Sequence, residues 1–401
     1  MSDIRLERKV VWLAALIQLA NVIEFMIILP LGPDLTVGIG IPSSNMGLLG
    51  GIYTFAAAFS AILVAPYLDR FDRKKAVIFF LIGLSIGTYL YSLALDTYSM
   101  LAGRTLSGIF GGPLTALSMS MVIDLVHVAR RGRSIAIVTS AFTISSVLGI
   151  PLTLELAGIF DWKMPFITIA GFTILVAVAI FITLPSMSGH IDKTTSTSQK
   201  VPLLSMLKKP EIRQTYLILS LQSFAQFMLF AGSLNYFIFN LGFPRDDLSI
   251  IYIIGGALSF AAMMLTGRII DFYGNRLLLF ILTIVYVFIL YDGCMHTPFM
   301  SVTFIFNSFM LCAAIMGAIA STIASETPGD KERAAYMYLQ SICRHLAAGA
   351  GFLISSLVFT TNLDGSLNNI GALAITSILC LISLPFLIVM LRKILSKKHL
   401  A

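Results

Sequence analysis

The chain has 401 residues, of which 57% are hydrophobic and only 12% are charged, and its mean hydropathy is +0.91. Soluble domains carry roughly 25% charged residues. This composition excludes a water-soluble protein. The formal net charge of +7 would suit a nucleic-acid partner, but the positions of the basic residues matter more than their sum.

Apolar residues fall into twelve blocks of about 20 residues, the length that a helix needs to cross roughly 30 Å of hydrocarbon. Barrel strands would be about 10 residues long with alternating polarity, which these blocks are not. The sequence therefore predicts an all-α integral membrane protein with twelve transmembrane helices. The predicted spans are 10–32, 44–67, 75–95, 99–124, 134–157, 164–184, 214–240, 247–268, 276–296, 299–324, 334–360 and 367–391.

The basic residues indicate the orientation of these spans. With the N-terminus inside, all but four of the 27 Lys and Arg residues lie in cytoplasmic segments. Lys163 and Arg245 lie in outside loops, and Arg104 and Arg344 lie within apolar blocks. We therefore expect both termini in the cytoplasm. No basic stripe remains for RNA or DNA, so no nucleic-acid partner is expected.

The chain divides at one long hydrophilic stretch with Pro, Ser, Thr and Lys residues, which predicts a cytoplasmic linker at 185–213. It separates an N-terminal six-helix half, 1–184, from a C-terminal six-helix half, 214–401. The two halves repeat a pattern, since Asp69 follows the second block as Asp271 follows the eighth, each four residues after a small residue.

The repeated segment resembles a known family. Gly267, Asp271, Gly274 and Arg276 form a GxxxDxxGxR pattern that resembles the loop motif of the major facilitator superfamily, and 65–75 resembles its first-half copy. The resemblance implies the major facilitator fold, with two pseudo-symmetric six-helix halves and substrate held near the bilayer midplane between them.

Two further segments carry the resemblance. Arg104 with Gly108 resembles the Arg-xxx-Gly pattern of the fourth helix, and 145–153 followed by 161–166 is similar to the fifth-helix motif of drug:proton antiporters. The variant of the fifth-helix motif in this chain is typical of the sugar and arabinose efflux branch of these antiporters. Glu24-Phe25 and Leu29-Pro30 in the first helix also suit that branch. The resemblance implies proton-coupled efflux. The chain departs from the family pattern at Ala65, Asp72, Thr153, Asp161 and Lys163.

Glu24 is the one carboxylate well inside a predicted span. An ionised carboxylate in hydrocarbon must pair or bind a proton, which is what a proton-coupling site requires. The first helix begins at the cytoplasmic side, and Glu24 lies ~21 Å along it, in the outer half of the membrane. The fourth helix begins at the outside, and Arg104 lies ~8 Å along it. The two residues therefore lie at roughly the same depth. The resemblance implies that they meet in one cavity. We predict that Glu24 and Arg104 couple protons to transport; a permanent structural ion pair is the alternative.

Polar residues on the cavity helices are candidates for substrate contact. Such groups suit a neutral or hydroxylated solute, although polar side chains also join helices in lipid. Arg344 lies ~15 Å into the eleventh helix and suggests an anionic substrate or a counter-charge. The predicted cavity residues are Gln18, Asn21, Gln222, Gln226, Asn235, Asn307 and Arg344.

Other residues are predicted to serve movement rather than chemistry. The resemblance assigns Asp69, Arg70, Arg73, Asp271 and Arg276 to a latch that closes the cytoplasmic side, with simple topology anchors as the alternative. Small residues and prolines allow close helix approach and bending, and Pro30 is predicted to kink the first helix just beyond Glu24. The predicted packing and bending residues are Pro30, Gly108, Gly112, Gly149 and Pro151.

The rival classes are a membrane enzyme and a non-transporting receptor. An enzyme would need clustered His, Asp or Cys at a membrane face, and no HExxH, GxSxG or GxxxxGK[ST] pattern occurs. We expect no catalytic activity, no metal and no cofactor. The sequence leaves export against import open, as well as the cargo: sugars, nucleosides or purines, amino acid derivatives, amphipathic drugs, or organic or siderophore-like anions.

These observations predict a monomeric secondary transporter in a lipid bilayer, with a small-molecule substrate and protons as the coupling ion. Its predicted location is the plasma membrane, specifically a bacterial inner membrane. An importer or uniporter of an organic anion is the alternative.

Overall fold

Helices make up most of the computed structural model, which describes residues 4–68, 70–188, 206–273, 275–325, 327–328 and 333–400. The helices are α1 Ile4–Ile27, α2 Gly32–Ile39, α3 Met46–Leu68, α4 Arg73–Ser92, α5 Thr97–Leu125, α6 Val128–Thr139, α7 Ala141–Ile144, α8 Ile150–Ile159, α9 Met164–Thr183, α10 Pro210–Asn235, α11 Leu248–Tyr273, α12 Asn275–Met295, α13 Val302–Ser325, α14 Arg333–Val358 and α15 Ile370–Leu400. Two short strands, β1 Thr360–Thr361 and β2 Leu367–Asn368, pair antiparallel.

Within the described ranges, twelve helical stretches are long and apolar enough to cross a membrane. The segment Arg130–Ile159, which contains α6, α7 and α8, forms one of them. The predicted number of spans is therefore confirmed, and the protein is an integral, multi-pass membrane protein. Helix ends differ by several residues from the predictions because polar and basic residues outside the hydrocarbon can continue a helix.

The chain separates into two compact units. The first comprises Met1–Ile41 with Ile52–Gln199. Its main core is built where α1, α4, α5 and α9 pack together, and fully buried aliphatic side chains meet there, such as Ile17, Leu81, Leu117 and Ile180. This core holds α1 against α5, the two helices that carry Glu24 and Arg104.

The second unit comprises Pro42–Gly51 with Lys200–Ala401. Here α10 packs against α14 and α15, and α11 packs against α13. The early segment Pro42–Gly51 joins this unit through hydrogen bonds to α14 and to the hairpin that follows it. Ser356 Oγ accepts from Leu48 N and donates to Ser44 O, both at 2.6 Å, and Ser43 Oγ donates to Gly365 O at 2.8 Å.

Pro30 was predicted to kink a continuous helix, but the structure has a break in the helix at this point. The helix stops at Ile27, a turn covers 28–31, and α2 begins at Gly32. Leu31 N donates to Ile27 O and closes the turn. Pro30 and Pro33 lack an N–H, so the helical hydrogen-bond ladder cannot run through both positions. The result is a break only three residues beyond Glu24, rather than a bend.

The span Arg130–Ile159 changes register before Pro151. Residues Ser145–Gly149 form a π-turn, in which Ile150 N donates to Ser145 O, five residues earlier. Widening the turn accommodates the missing N–H and the ring of Pro151. Gly149 lies at this point, and a Cβ there would stand 2.8 Å from Ile23 Cγ1. Gly149 and Pro151 thus set the close packing of this span against α1.

Gly108 and Gly112 bring α5 close to α3. A Cβ on Gly108 would lie 2.6 Å from the carbonyl oxygen of Tyr53, and one on Gly112 would clash with the carbonyl group of Ala57. Real Cβ atoms do not approach backbone this closely, so only glycine permits this spacing. The contact places the ring of Tyr53 beside Arg104.

Candidate functional site

Glu24 and Arg104 form a fully buried ion pair between α1 and α5. Arg104 Nη1 lies 3.1 Å from Glu24 Oε1, and both side chains are 0% exposed. Removing two charges from water is unfavourable by several kcal/mol per ion, so such a pair persists only with good geometry and further hydrogen bonds. The neighbouring residues supply those bonds.

Two tyrosines complete the surroundings of the pair. The Tyr91 hydroxyl on α4 donates to Glu24 Oε1 at 2.7 Å and hydrogen-bonds to Ser107 Oγ. The Arg104 guanidinium carbon lies 4.5 Å from the centre of the Tyr53 ring, a cation–π distance. Glu24 Oε2 is buried and receives no hydrogen bond of ordinary geometry among the described residues. Glu24 Oε1 therefore receives the two hydrogen bonds, from Arg104 and from Tyr91, that hold the carboxylate in place.

Arg104 also binds the end of α1. Nη1 donates to Glu24 O at 3.2 Å, and Nη2 donates to Phe25 O at 3.4 Å. The last carbonyls of a helix lack intrahelical donors, and a cation near them is favoured by the helix dipole. The guanidinium therefore caps α1 at the break before Pro30 while it pairs with Glu24.

Two predicted cavity residues of α1, Gln18 and Asn21, continue this contact towards the start of the helix. Asn21 Nδ2 donates to Thr115 Oγ1 at 3.2 Å, and its Oδ1 accepts from Tyr53 OH at 3.3 Å. Ser118 Oγ donates to Gln18 Oε1 at 3.4 Å. Asn21 is only 7% exposed. Gln18, Asn21 and Glu24 thus form a row of polar contacts between α1 and α5.

A second polar cluster lies inside the second unit. Arg344 on α14 donates from Nη2 to Gln222 Oε1 and from Nε to Ser223 Oγ, both at 3.4 Å. Gln222 Nε2 then donates to Gln226 Oε1 at 3.0 Å. The structure therefore brings three predicted cavity residues together: Arg344, Gln222 and Gln226.

Asn235 and Asn307 lie apart from this cluster. Asn235 Nδ2 donates to Ser43 Oγ at 2.8 Å, so its amide helps to anchor Pro42–Gly51. It is also 13 residues from Gln222 along the helix, ~20 Å at 1.5 Å per residue. Asn307 lines a pocket of about 430 Å³ with Leu258 and Phe304, and its Oδ1 is buried without a hydrogen bond among the described residues.

The sequence matches a protein-family model. Residues 14–352 match the model of the Major Facilitator Superfamily. The chain belongs to this superfamily. It is 26% identical over 258 residues to the purine ribonucleoside efflux pump NepI of Salmonella enteritidis, and 25% identical to that of Salmonella typhimurium. These matches span 62% of this chain and 61% of each relative.

Solved structures of the superfamily share the fold. The nucleoside transporter NupG aligns with a TM-score of 0.72 and 14% identity, over 97% of this chain and 99% of that one. A bacterial homologue of the human lysosomal transporter Spinster, inward-facing and occupied, aligns with a TM-score of 0.71 and 15% identity, over 98% and 96%. The predicted fold class is thereby confirmed.

The predicted latch is only partly described. Asp69 lies outside the described residues, as do the side chains of Asp271 and Arg276. The Arg70 guanidinium lies 5.5 Å from the centre of the Tyr67 ring, and Arg73 Nε lies 3.3 Å from Asp124 Oδ2 on α5. The latch therefore stays a prediction.

Asp72, a departure from the family glycine, has a defined role as the N-cap of α4. Its Oδ1 accepts from Lys74 N at 2.8 Å and Lys75 N at 3.3 Å, and its Oδ2 accepts from Met187 N at 3.1 Å and from Ser186 Oγ. Burial acts to raise the pKa of Asp72, but these hydrogen bonds outweigh it and hold the pKa below the ordinary value of 3.8.

Replacing this cap should weaken the fold in a pH-dependent way. Asp72→Ala should lower stability at neutral pH by about 1 kcal/mol. A carboxylate whose folded pKa is lowered adds stability above its unfolded pKa, and the gain is lost as pH falls through the folded value. Thermal unfolding in detergent should therefore show a difference between wild type and variant that shrinks below about pH 4. The exposed Asp246→Ala is the control, and an undiminished difference at low pH would contradict the cap.

Several residues of the first site escaped the sequence analysis. Tyr53 and Tyr91 stand in apolar blocks, where a tyrosine resembles any packing residue. A signal did exist on α5, because Arg104, Ser107, Thr115 and Ser118 follow helical spacing on one face. Among the described residues, no group of three or more His, Cys, Asp and Glu side chains converges as a metal site would require.

Proposed function

We propose that the protein is a proton-coupled secondary transporter that exports a small organic solute by alternating access, with Glu24 as the proton-binding group. Membership of the superfamily supports transport in general. The specific support is the Glu24–Arg104 pair, with no exposure of either side chain, inside a membrane-spanning helix. Ionisable groups in such positions are retained for function more often than for stability.

The surroundings of Glu24 suit a group that changes protonation. In the ionised form, Oε1 has two partners, Arg104 and Tyr91. A proton on Oε2 would neutralise the carboxylate without removing either partner from Oε1. Arg104 would then lose the Coulomb attraction but keep its bonds to the carbonyls of Glu24 and Phe25. Protonation would thus loosen the contact between α1 and α5 and not destroy it.

Purine ribonucleosides are the first solutes to test, because the NepI relatives carry them in their name. We further propose a bacterial inner membrane, as the relatives suggest, and both termini in the cytoplasm, as the distribution of basic residues suggests. A monomer is part of the same proposal. The latch formed by Asp69, Arg70, Arg73, Asp271 and Arg276 belongs to the same proposal.

Reconstitution tests the proposal. Proteoliposomes with an imposed pH gradient should accumulate labelled inosine or another solute of a small panel against its concentration gradient. A protonophore should abolish accumulation above the external concentration and leave only downhill equilibration of the solute. Solute movement that is equally fast with and without the gradient would indicate a uniporter and reject proton coupling.

A further inference from the structure

Arg344 is an intramembrane cation with no acidic partner among the described residues. It lies in the span Tyr336–Val358, and none of its contacts with the described residues is to a carboxylate. Its two hydrogen bonds, to Ser223 Oγ and Gln222 Oε1, are both 3.4 Å long. Ordinary N–H···O bonds are near 2.9 Å, so these contacts are weak. A guanidinium has five N–H donors, and most of them are unused here.

Arg104 differs from Arg344 in the charge of its partners. Arg104 is also intramembrane, but its charge is balanced by Glu24 at 3.1 Å and its donors reach two carbonyl oxygens. An arginine kept for structure has partners of this kind. A positive charge left without a counter-charge in a membrane protein is unfavourable, and it persists where function needs it.

The groups around Arg344 form a polar cluster with open space beside one of its members. Ser223 and Gln222 are both 2% exposed and come from α10. Gly317 on α13 faces Gln222: among the described residues, and apart from the backbone of its own helix, a Cβ at Gly317 would have only Gln222 Nε2 within 4 Å, at 3.7 Å. The space next to this side of the amide is therefore open. The same amide accepts from the Arg344 guanidinium through Oε1, and Arg344 also bonds to the Ser223 hydroxyl.

We infer that Arg344, Ser223 and Gln222 form the subsite that anchors an anionic carboxylate or phosphate group of the transported solute. This inference rests on the proposed transport function and names its substrate class. The planar guanidinium fork matches two oxygens of such a group, and the anion supplies the counter-charge that Arg344 lacks among the described residues. Gln226 orients Gln222 through the 3.0 Å bond, so that Gln222 Oε1 faces Arg344.

Equilibrium binding tests the inference without any transport step. The purified protein is heated with matched pairs that differ by one anionic group: inosine and inosine 5′-monophosphate, and glucose and glucuronate. A ligand of the folded state raises the melting temperature. We expect at least one anionic probe to stabilise the wild type more than its neutral partner does. Arg344→Gln should weaken that binding at least about tenfold, as expected for loss of a charged hydrogen bond.

Three variants separate binding from folding. Without ligand, Arg344→Gln should melt no lower than wild type, whereas a structural arginine would leave the variant destabilised. Gly317→Leu should block the open space and lose anion binding with Arg344 intact. Arg213→Gln removes an exposed charge from the same unit and should bind normally.

The inference is overturned if no anionic probe stabilises the wild type, if neutral partners stabilise it equally, or if Arg344→Gln binds the anion as wild type does. These outcomes do not depend on proton coupling. Anion binding that disappears in Arg344→Gln, in a protein whose transport ignores the pH gradient, would support the subsite and reject the coupling proposal.

Discussion

Glu24→Gln should abolish pH-gradient-driven accumulation while the protein stays folded. Glutamine keeps the shape of the side chain and can still accept from Arg104 Nη1 and the Tyr91 hydroxyl, but it cannot bind and release a proton. We expect gradient-driven accumulation to fall to the level without a gradient, since a side chain that cannot bind a proton cannot link proton movement to solute movement. Exchange of labelled for unlabelled solute at equal pH should continue.

Glu7→Gln is the matched control for this measurement. Glu7 lies on the same helix, is 5% exposed and is held by Arg130 with Nη2 to Oε2 at 2.8 Å, so it too is a buried carboxylate in an ion pair. It stands in the first turn of α1, far from the break. If Glu24→Gln kept full gradient-driven transport, or if Glu7→Gln lost it equally, Glu24 would not be the coupling group.

Arg104→Gln should strongly destabilise the first unit. It leaves the carboxylate of Glu24 buried without its counter-charge and the carbonyls of Glu24 and Phe25 without their guanidinium donor. Removing one partner of a buried pair typically lowers stability by about 3–5 kcal/mol. Thermal unfolding of the purified protein should therefore begin at a clearly lower temperature than in wild type.

A double-mutant cycle separates the ion pair from the cap on α1. Glu24→Gln with Arg104→Gln removes both charges, so it should recover a large part of the stability lost in Arg104→Gln. The remainder measures the bonds to the α1 carbonyls. Arg104→Lys should fall between, because an ammonium keeps the charge but cannot fork between the carboxylate and two carbonyls. If the double variant were no more stable than Arg104→Gln, the two side chains would not depend on each other.

The number of membrane spans could be predicted from the sequence, whereas local details of the backbone could not. Block length and charge position are enough for twelve spans, because a helix in lipid has one solution to its hydrogen-bonding requirement. The break after Ile27 and the π-turn at Ser145–Gly149 were not predicted, since both depend on how a proline is accommodated by its surroundings. The hairpin of β1 and β2 is too short to leave a pattern in the sequence.

The candidate site was predicted in its charges and not in its neutral groups. Glu24 and Arg104 stand out because charge is rare in an apolar block. Tyr53, Tyr91 and Ser107 matter through their positions, which only the packed helices define. Asn235 shows the converse. It was predicted to line the cavity, and its amide donates to Ser43 in the segment Pro42–Gly51. Composition alone cannot separate these two uses of an amide.

The hydrogen bonds of Pro42–Gly51 bear on how this protein can be dissected. The polar groups of Ser43, Ser44 and Leu48 that meet Ser356, Gly365 and Asn235 belong to the second unit in space but to the beginning of the chain in sequence. A cut within 185–213 would yield a C-terminal fragment that lacks them. Split-protein experiments should therefore express both fragments together, because the later fragment alone leaves Asn235 and Ser356 without these partners.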